Sequence, residues 1–329
     1  MRAVVIESYG DPDVLTVAEV PDPEPGPDEV LVAVRATALN RADLLQRRGL
    51  YPEPGPGRAH EIPGMELAGK VAALGDRATE WRVGDEVMGI VSGGSYAEMI
   101  AVHQRQLLPI PPEVGLADAA AVPEVWITAW DALVVQGGLT AGRTALVHAG
   151  ASGVGSAALQ LCRALGARVV TTASTAKVEP CRALGADVVV DYTNGEDFVE
   201  AAWEATGGAG VDVVLDVVGG DYLAGNIRAL RTGGTIVQVG VMGGGKATFD
   251  LGALLPKRAR LVGTVLRARP VEEKIALTQR FGREVLPLFE RGQVRPVVDS
   301  RYPLAAAAEA HRHMEANANV GKILLDVGA

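Results

Sequence analysis

Cysteine is nearly missing from this 329-residue chain, aromatic residues make up only 4% of it, and it has no excess of basic residues. The two cysteines, Cys162 and Cys181, each fall in a segment with helical spacing, and neither has a second cysteine at ligand distance. That argues against a disulfide framework and against a cysteine-rich zinc site. Lys and Arg number 31 against 40 Asp and Glu, mixed along the chain, for a net charge of −9. Binding to nucleic acid or to an anionic membrane needs a basic surface, so neither is an expected partner. No apolar run has the length needed to cross a bilayer. The start, MRAVVIESYG, lacks a long apolar core behind its basic residue, so no signal peptide is expected. The simple reading is a cytoplasmic protein.

What is present is apolar content of 48%, in a chain long enough for two domains. The first third reads as β-rich: RAVVIE (2–7), EVLVAVRATALN (29–40), MELAGKVAALG (65–75), GDEVMGI (84–90) and SYAEMIAV (95–102). PDPEPGPDE (21–29) and YPEPGPG (51–57) must be loops, because proline cannot serve a central strand. Short strands with such punctuation suggest a small barrel-like or sandwich domain. After about residue 120 the rhythm becomes strand, helix, strand, helix. TALVHA (144–149), ARVVTTA (167–173), DVVVDY (187–192), VDVVLDVVG (211–219) and GGTIVQVG (233–240) are apolar strands between amphipathic helices. This is the pattern of a doubly wound parallel sheet covered on both faces. The tail reads as one long helix over 272–292, a helix over 304–316 and a strand, KILLDV (322–327), that returns to the first domain. The fold class is therefore α/β, with a β-rich domain over 1–122 and 293–329 and a Rossmann domain over 123–292.

HAGASGVG (148–155) joins the first strand of that second domain to its helix. Gly150 and Gly155 hold the outer positions of a G-x-G-x-x-G turn, Ser152 stands in the middle, and Gly153 and Val154 follow it. Backbone N–H groups at such a helix start can face a pyrophosphate, aided by the helix dipole. An NAD site carries an acid about 20 residues on, for the ribose 2′-OH. TTASTAK (171–177) has none. Ser174 and Lys177 can instead hold a 2′-phosphate, which points to NADPH. Tyr192 ends the third strand, near the adenosine phosphate. Gly240, Val241 and Met242 follow a later strand, at the edge where doubly wound folds bind ligands, and Thr264, Val265 and Leu266 line the same end.

HAGASGVG together with LNRADLLQRRGLY (39–51), GMELAGKV (64–71), PEVWITAWDAL (123–133), VMGGG (241–245) and EANANVGKILL (315–325) resembles the medium-chain dehydrogenase/reductase superfamily over essentially the whole chain. Within it the chain is most similar to the zinc-independent quinone oxidoreductase branch, and there to the p53-inducible subgroup. The resemblance implies a GroES-like catalytic domain built from both chain ends, a central Rossmann domain, and NADPH in the cleft between them. Zinc alcohol dehydrogenases place a Cys near LNRAD and a His in the segment matching GMELAG, where this chain has Asn40 and Met65. Neither is a usual zinc ligand, so no metal is expected. The five histidines, among them His60, His103, His311 and His313, read as structural or surface residues.

The resemblance also assigns individual positions. Asn40 faces the cofactor, though Asn is equally a common helix cap. Tyr51 matches a tyrosine near nicotinamide and substrate, as proton donor or pocket wall. Thr128 matches a threonine beside the nicotinamide ring. Asn317 matches a cofactor contact, though a helix C-cap explains it as well. Asp43 and Glu66 match acidic positions of the metal region in zinc relatives and read here as structural. The expected activity is hydride transfer from NADPH to a quinone, with one- and two-electron delivery both open. The same residues would serve reduction of an α,β-unsaturated carbonyl or enoyl thioester, and a non-catalytic NADPH sensor is the reading from another class. The branch commonly forms homodimers or higher homo-oligomers through Rossmann edge strands, which suits LVGTVL (261–266).

Overall fold

The computed structural model describes residues 1–51 and 60–328. The loop expected over 51–57 thus lies, from residue 52 on, outside the described residues. The chain divides into two compact units, Met1–Ile127 with Leu266–Ala329, and Thr128–Val265.

In the first unit β1 (Arg2–Ile6) and β2 (Leu15–Glu19) pair antiparallel as a small sheet of their own. There follow β3 (Glu29–Ala38), α1 (Arg41–Arg47), β4 (Glu66–Leu74), β5 (Glu86–Ile90), β6 (Met99–His103) and β7 (Leu107–Pro109). Val30, Val32 and Val34 sit two apart on β3 and are all buried, the alternation of a strand with one face on the core. They pack with Leu67, Val87, Ile100 and Leu107 from the neighbouring strands. Each such side chain contributes roughly 1.5–3 kcal/mol of burial. The helix α2 (Pro123–Trp130) then carries the chain into the second unit. Its proline takes the first helical position, where a missing N–H costs no hydrogen bond.

The second unit alternates β8 (Thr144–Val147), α3 (Gly153–Ala164), β9 (Arg168–Ala173), α4 (Val178–Ala183), β10 (Val188–Asp191), α5 (Phe198–Ala205), β11 (Val211–Asp216), α6 (Tyr222–Ala229), β12 (Leu230–Gln238), α7 (Leu254–Lys257) and β13 (Arg260–Gly263). The strands form one parallel sheet in the order β10-β9-β8-β11-β12-β13. Counted within the unit this is 3-2-1-4-5-6, a dinucleotide-binding order that reverses direction between β8 and β11. Leu146, Val170, Val190, Val214 and Ile236, one from each of five strands, share a cluster with Ala202 of α5 and Leu223 and Ile227 of α6. Apolar strands of this kind need cover on both faces, and the helices supply it.

The chain returns to the first unit through α8 (Val271–Glu284), α9 (Leu286–Glu290), β14 (Val298–Pro303), α10 (Ala307–Glu315) and β15 (Lys322–Asp326). β15 lies between β14 and β3 in a sheet ordered β14-β15-β3-β4-β5-β7, with β6 also paired to β3. This branched sheet gathers the short strands expected from the sequence. A correction concerns the single helix expected over 272–292. It breaks after Glu284, because Pro287 has no N–H to donate and its ring clashes with a carbonyl one turn back. The units also divide elsewhere than the sequence rhythm suggested: residues 266–292 belong with the first unit. There α8 lies so close to β7 that a Cβ on Gly282 would fall 2.8 Å from Leu108, and Gln279 Nε2 donates to the Arg105 carbonyl at 2.8 Å. Among the described residues no helix is long and apolar enough to cross a membrane.

Candidate functional site

In the second unit the loop leaving β8 is held by its own backbone. Ala149 takes a left-handed conformation (φ 55°), and Ser152 caps α3, its Oγ accepting from the Gly155 N–H at 3.0 Å. The serine proton stays available to a ligand while the oxygen serves the helix. A Cβ on Gly155 would stand 2.3 Å from the Ala149 carbonyl oxygen, and one on Gly150 would stand 2.2 Å from Thr171 Oγ1. Only glycine fits at either place. Gly153 is the first residue of α3, with Val154 after it, and no acid occupies the first turn, so the positive end of the helix is unopposed.

Beneath the loop runs a buried polar relay. Asp216, at the end of β11, accepts from the N–H groups of Val218 at 2.6 Å and Gly219 at 2.9 Å. Its other oxygen accepts from Asn226 Nδ2 at 2.8 Å, which turns the amide oxygen of Asn226 toward His148 Nε2, 2.7 Å away. His148 must therefore donate from Nε2 and accept at Nδ1, where the Thr172 hydroxyl lies at 3.2 Å. Burial lowers the His148 pKa and so favours this neutral form. The relay joins the loops that follow β8 and β11, the two strands flanking the reversal of strand order.

Other expected residues line the carboxyl ends of the same sheet. Ser174 follows β9 at the start of a 3-10 turn that ends at Lys177, and its hydroxyl makes no capping bond. Both are half-buried. Asp191, at the end of the adjacent β10, is engaged within its own turn, accepting from Thr193 Oγ1 at 2.5 Å and Asn194 Nδ2 at 2.8 Å. Tyr192 follows it and is half exposed. Beyond β12, Val241 and Met242 are also about half exposed, while the backbone around them is tied down. Gly240 N–H meets the Asp216 carbonyl at 3.3 Å, and Met242 N–H meets that of Val217 at 3.2 Å. Beyond β13, Thr264 Oγ1 donates to Asp131 Oδ2 at 3.0 Å, and Val265 is 47% exposed. Thr128 is buried within α2.

In the first unit Asn40 is buried at the start of α1, and its side chain is fully engaged. Nδ2 donates to Glu66 Oε1 at 2.9 Å and Oδ1 accepts from Lys322 Nζ at 2.6 Å. Lys322 also donates to the Leu39 carbonyl and pairs with Glu66 Oε1 at 2.8 Å. The other Glu66 oxygen accepts from the Glu124 N–H at 2.8 Å. Asp43 caps the Asn40 N–H at 2.8 Å and accepts from Tyr96 OH at 3.1 Å. Burial lifts the Asp43 carboxyl to about 6, against the pull of these hydrogen bonds and of Lys322 and Arg267. Asn317 has a left-handed backbone (φ 53°) just past α10, and its Oδ1 accepts from Arg41 at 2.6 Å. That is the geometry of a C-cap. Leu266 is buried in this unit, and Tyr51 lies under the guanidinium of Arg267.

Met65 is buried, and among the described residues no group of three or more His, Cys, Asp or Glu could hold a metal ion. Lys322, Glu66, His148, Asp216 and Arg267 were not picked out from the sequence as site residues. A trace existed for two of them, since Lys322 and His148 each place a polar side chain beside a run that is otherwise apolar.

The buried Glu66–Lys322 pair makes a thermodynamic prediction. Glu66→Gln or Lys322→Met alone strands the partner and should cost about 3–5 kcal/mol, whereas the double variant should lose clearly less than the sum. Urea unfolding of the four proteins measures this, and simple additivity would show that the pair is not coupled.

Comparison with known proteins agrees with this architecture. Residues 26–112 match the alcohol dehydrogenase GroES-like domain family, and residues 184–325 match the family described as zinc-binding dehydrogenase. A quinone oxidoreductase of Pseudomonas aeruginosa is 33% identical, over 98% of this chain and 99% of its own. The synaptic vesicle membrane protein VAT-1 homolog of Rattus norvegicus is also 33% identical, over 100% of this chain and 84% of its own. The Escherichia coli quinone oxidoreductase solved in complex with NADPH superposes with a TM-score of 0.89 at 28% identity, over 99% of this chain and 100% of its own. With a GroES-like region, a 3-2-1-4-5-6 parallel sheet and relatives that span its length, the chain belongs to the medium-chain dehydrogenase/reductase superfamily, in its quinone oxidoreductase branch.

Proposed function

We propose that the protein is a zinc-independent NADPH:quinone oxidoreductase. The observation that carries this reading is the ammonium of Lys322, bonded to Asn40 and Glu66, in the neighbourhood where zinc relatives hold their metal. A buried cation already neutralises Glu66, and Asn40 and Met65 supply no ligands for zinc. When bound, NADPH supplies a hydride that an electron-poor quinone accepts without a Lewis acid. The chain's own task is then to hold donor and acceptor and to stabilise charge on the acceptor oxygen.

The Ser152 hydroxyl and the first N–H groups of α3 suit the pyrophosphate, with Gly150 and Gly155 permitting its approach. Ser174 and Lys177 suit a 2′-phosphate, supported by the absence of any acid from 171–177 and by the turn that keeps Asp191 occupied. The complex of the E. coli relative with NADPH favours the same cofactor. Asn40, Tyr51 and Thr128 are assigned to nicotinamide and acceptor. Substrate partners are small quinones, and the edge strand β13, with Leu261 49% exposed, is the surface proposed to join two copies of the chain.

Steady-state turnover with NADPH against ortho-quinones, para-quinones and enones tests the activity. Quinones should be reduced fastest; faster enone reduction would assign the protein to C=C reduction, and tight NADPH binding without any turnover would make it a sensor. Lys177→Ala should lower kcat/KM for NADPH about ten-fold or more relative to NADH, as expected for loss of one charge on a phosphate. An unchanged ratio would remove Lys177 from the cofactor site. Leu261→Asp should convert a dimer to a monomer in light scattering, and an unaltered mass would exclude that edge.

A further inference from the structure

The segment after β13 carries two buried cations, Arg267 (5% exposed) and Lys274 (8% exposed). Burying a cation is costly unless it is paired or fully hydrogen-bonded. Every hydrogen bond that Arg267 makes among the described residues goes to a neutral oxygen. Nε donates to the Ser92 carbonyl at 2.6 Å, one terminal nitrogen to the Tyr51 carbonyl at 3.1 Å and the other to Gln46 Oε1 at 2.7 Å. Gln46 is turned to present that oxygen because its Nε2 donates to Glu61 at 3.0 Å. Lys274 Nζ donates to Ser92 Oγ and to the Arg267 carbonyl. The guanidinium also covers the ring of Tyr51, 5.1 Å from its centroid. Tyr51 is therefore gripped twice, by backbone and by ring face, and the cation that grips it has no ion-pair partner in direct contact among the described residues.

The charge acts on two groups: it pulls on the Asp43 carboxyl and it stands over the Tyr51 ring. A planar cation over a phenol ring both fixes the ring and stabilises negative charge on it. We propose that Arg267 is a positioning residue for Tyr51, orienting the ring and making its hydroxyl a better proton donor to the substrate. The inference rests on the reading of Tyr51 as facing the acceptor. After hydride reaches the acceptor, its oxygen carries the negative charge. The Tyr51 O–H bond breaks, the proton forms a new O–H bond on that oxygen, and the phenolate left under Arg267 recovers a proton from water. Burial raises the Tyr51 pKa, Arg267 pulls it down and Glu124 pushes it up. Lys274 stands behind Arg267, and Glu61 acts only through Gln46. The charge of Arg267 thus brings the donor toward the working pH.

The test labels the Cζ carbon of the six tyrosines, identifies the Tyr51 signal with Tyr51→Phe, and titrates it by NMR. Arg267→Gln, which keeps a hydrogen-bonding amide but loses the charge, should raise the Tyr51 pKa by about half a unit or more. Arg267→Lys should restore most of the difference. An unmoved titration in Arg267→Gln overturns the proposal, and so does a Lys variant that behaves like the Gln variant. If Arg267→Gln does not fold, the Lys variant still decides: a Tyr51 pKa within a few tenths of a unit of the parent supports the proposal, and a larger rise overturns it. Turnover separates this from the underlying function. Arg267→Gln should lower kcat about ten-fold in the parent and leave it unchanged in a Tyr51→Phe background. Parent-like turnover by Tyr51→Phe alone would reject the proton-donor reading of Tyr51, whatever the titration shows.

Discussion

The ammonium of Lys322 is the charge on which the first unit depends. It sits within hydrogen-bond reach of the Leu39 carbonyl, Asn40 and Glu66, on a strand that enters the sheet some 280 residues after the Leu39–Asn40 segment it binds. Glu66 in turn receives the backbone of Glu124 at the second residue of α2, so one carboxylate links β4, the start of α1 and the helix that leads out of the unit. A charge so enclosed tolerates little displacement, because each partner lost leaves another group unpaired. The chain end is thereby made part of the core rather than an appendage to it.

The second unit solves a different problem. Its sheet is apolar on both faces and can offer polar groups only where the strands stop. The loops after β8, β9, β10, β12 and β13 all open at the same end, and they are shaped by side chains from below. Asp216 shows how far this goes: two backbone N–H groups and one amide fix it, that amide fixes His148, and His148 fixes the tautomer that Thr172 meets. The turn after β8 is thus held by a relay whose members lie on two strands, one helix and the residue that follows β8.

Much of this was legible in the sequence, for physical reasons. The alternation of the second unit could be read because strands such as VDVVLD are apolar throughout, and the switch from period two to helical spacing is sharp. The turn after β8 could be read because its glycines stand between an apolar strand and a helix, and Gly155 is forced by the nearby Ala149 carbonyl. The break near Pro287 was overlooked because the apolar spacing continues across it, while the hydrogen bonding does not. The bonds of Asn40 to Glu66 and Lys322 could not be read, since nothing local marks partners 26 and 282 residues distant. Asn317 shows the limit of motif matching: an asparagine there suits a cofactor contact and a left-handed cap alike, and the backbone conformation shows the cap.

The burial of the two cysteines has a consequence for the proposed reduction of quinones. Quinones are electrophiles that add to thiolates, and a catalyst with a reactive cysteine would be arylated by its own substrate. Cys162 and Cys181 are both fully enclosed, and burial pushes their thiols up to about 12 and about 11. At neutral pH even the more acidic of them is ionised in only about one molecule in ten thousand. The chain therefore meets such compounds with almost no nucleophilic sulfur, and the scarcity of cysteine becomes a form of chemical tolerance.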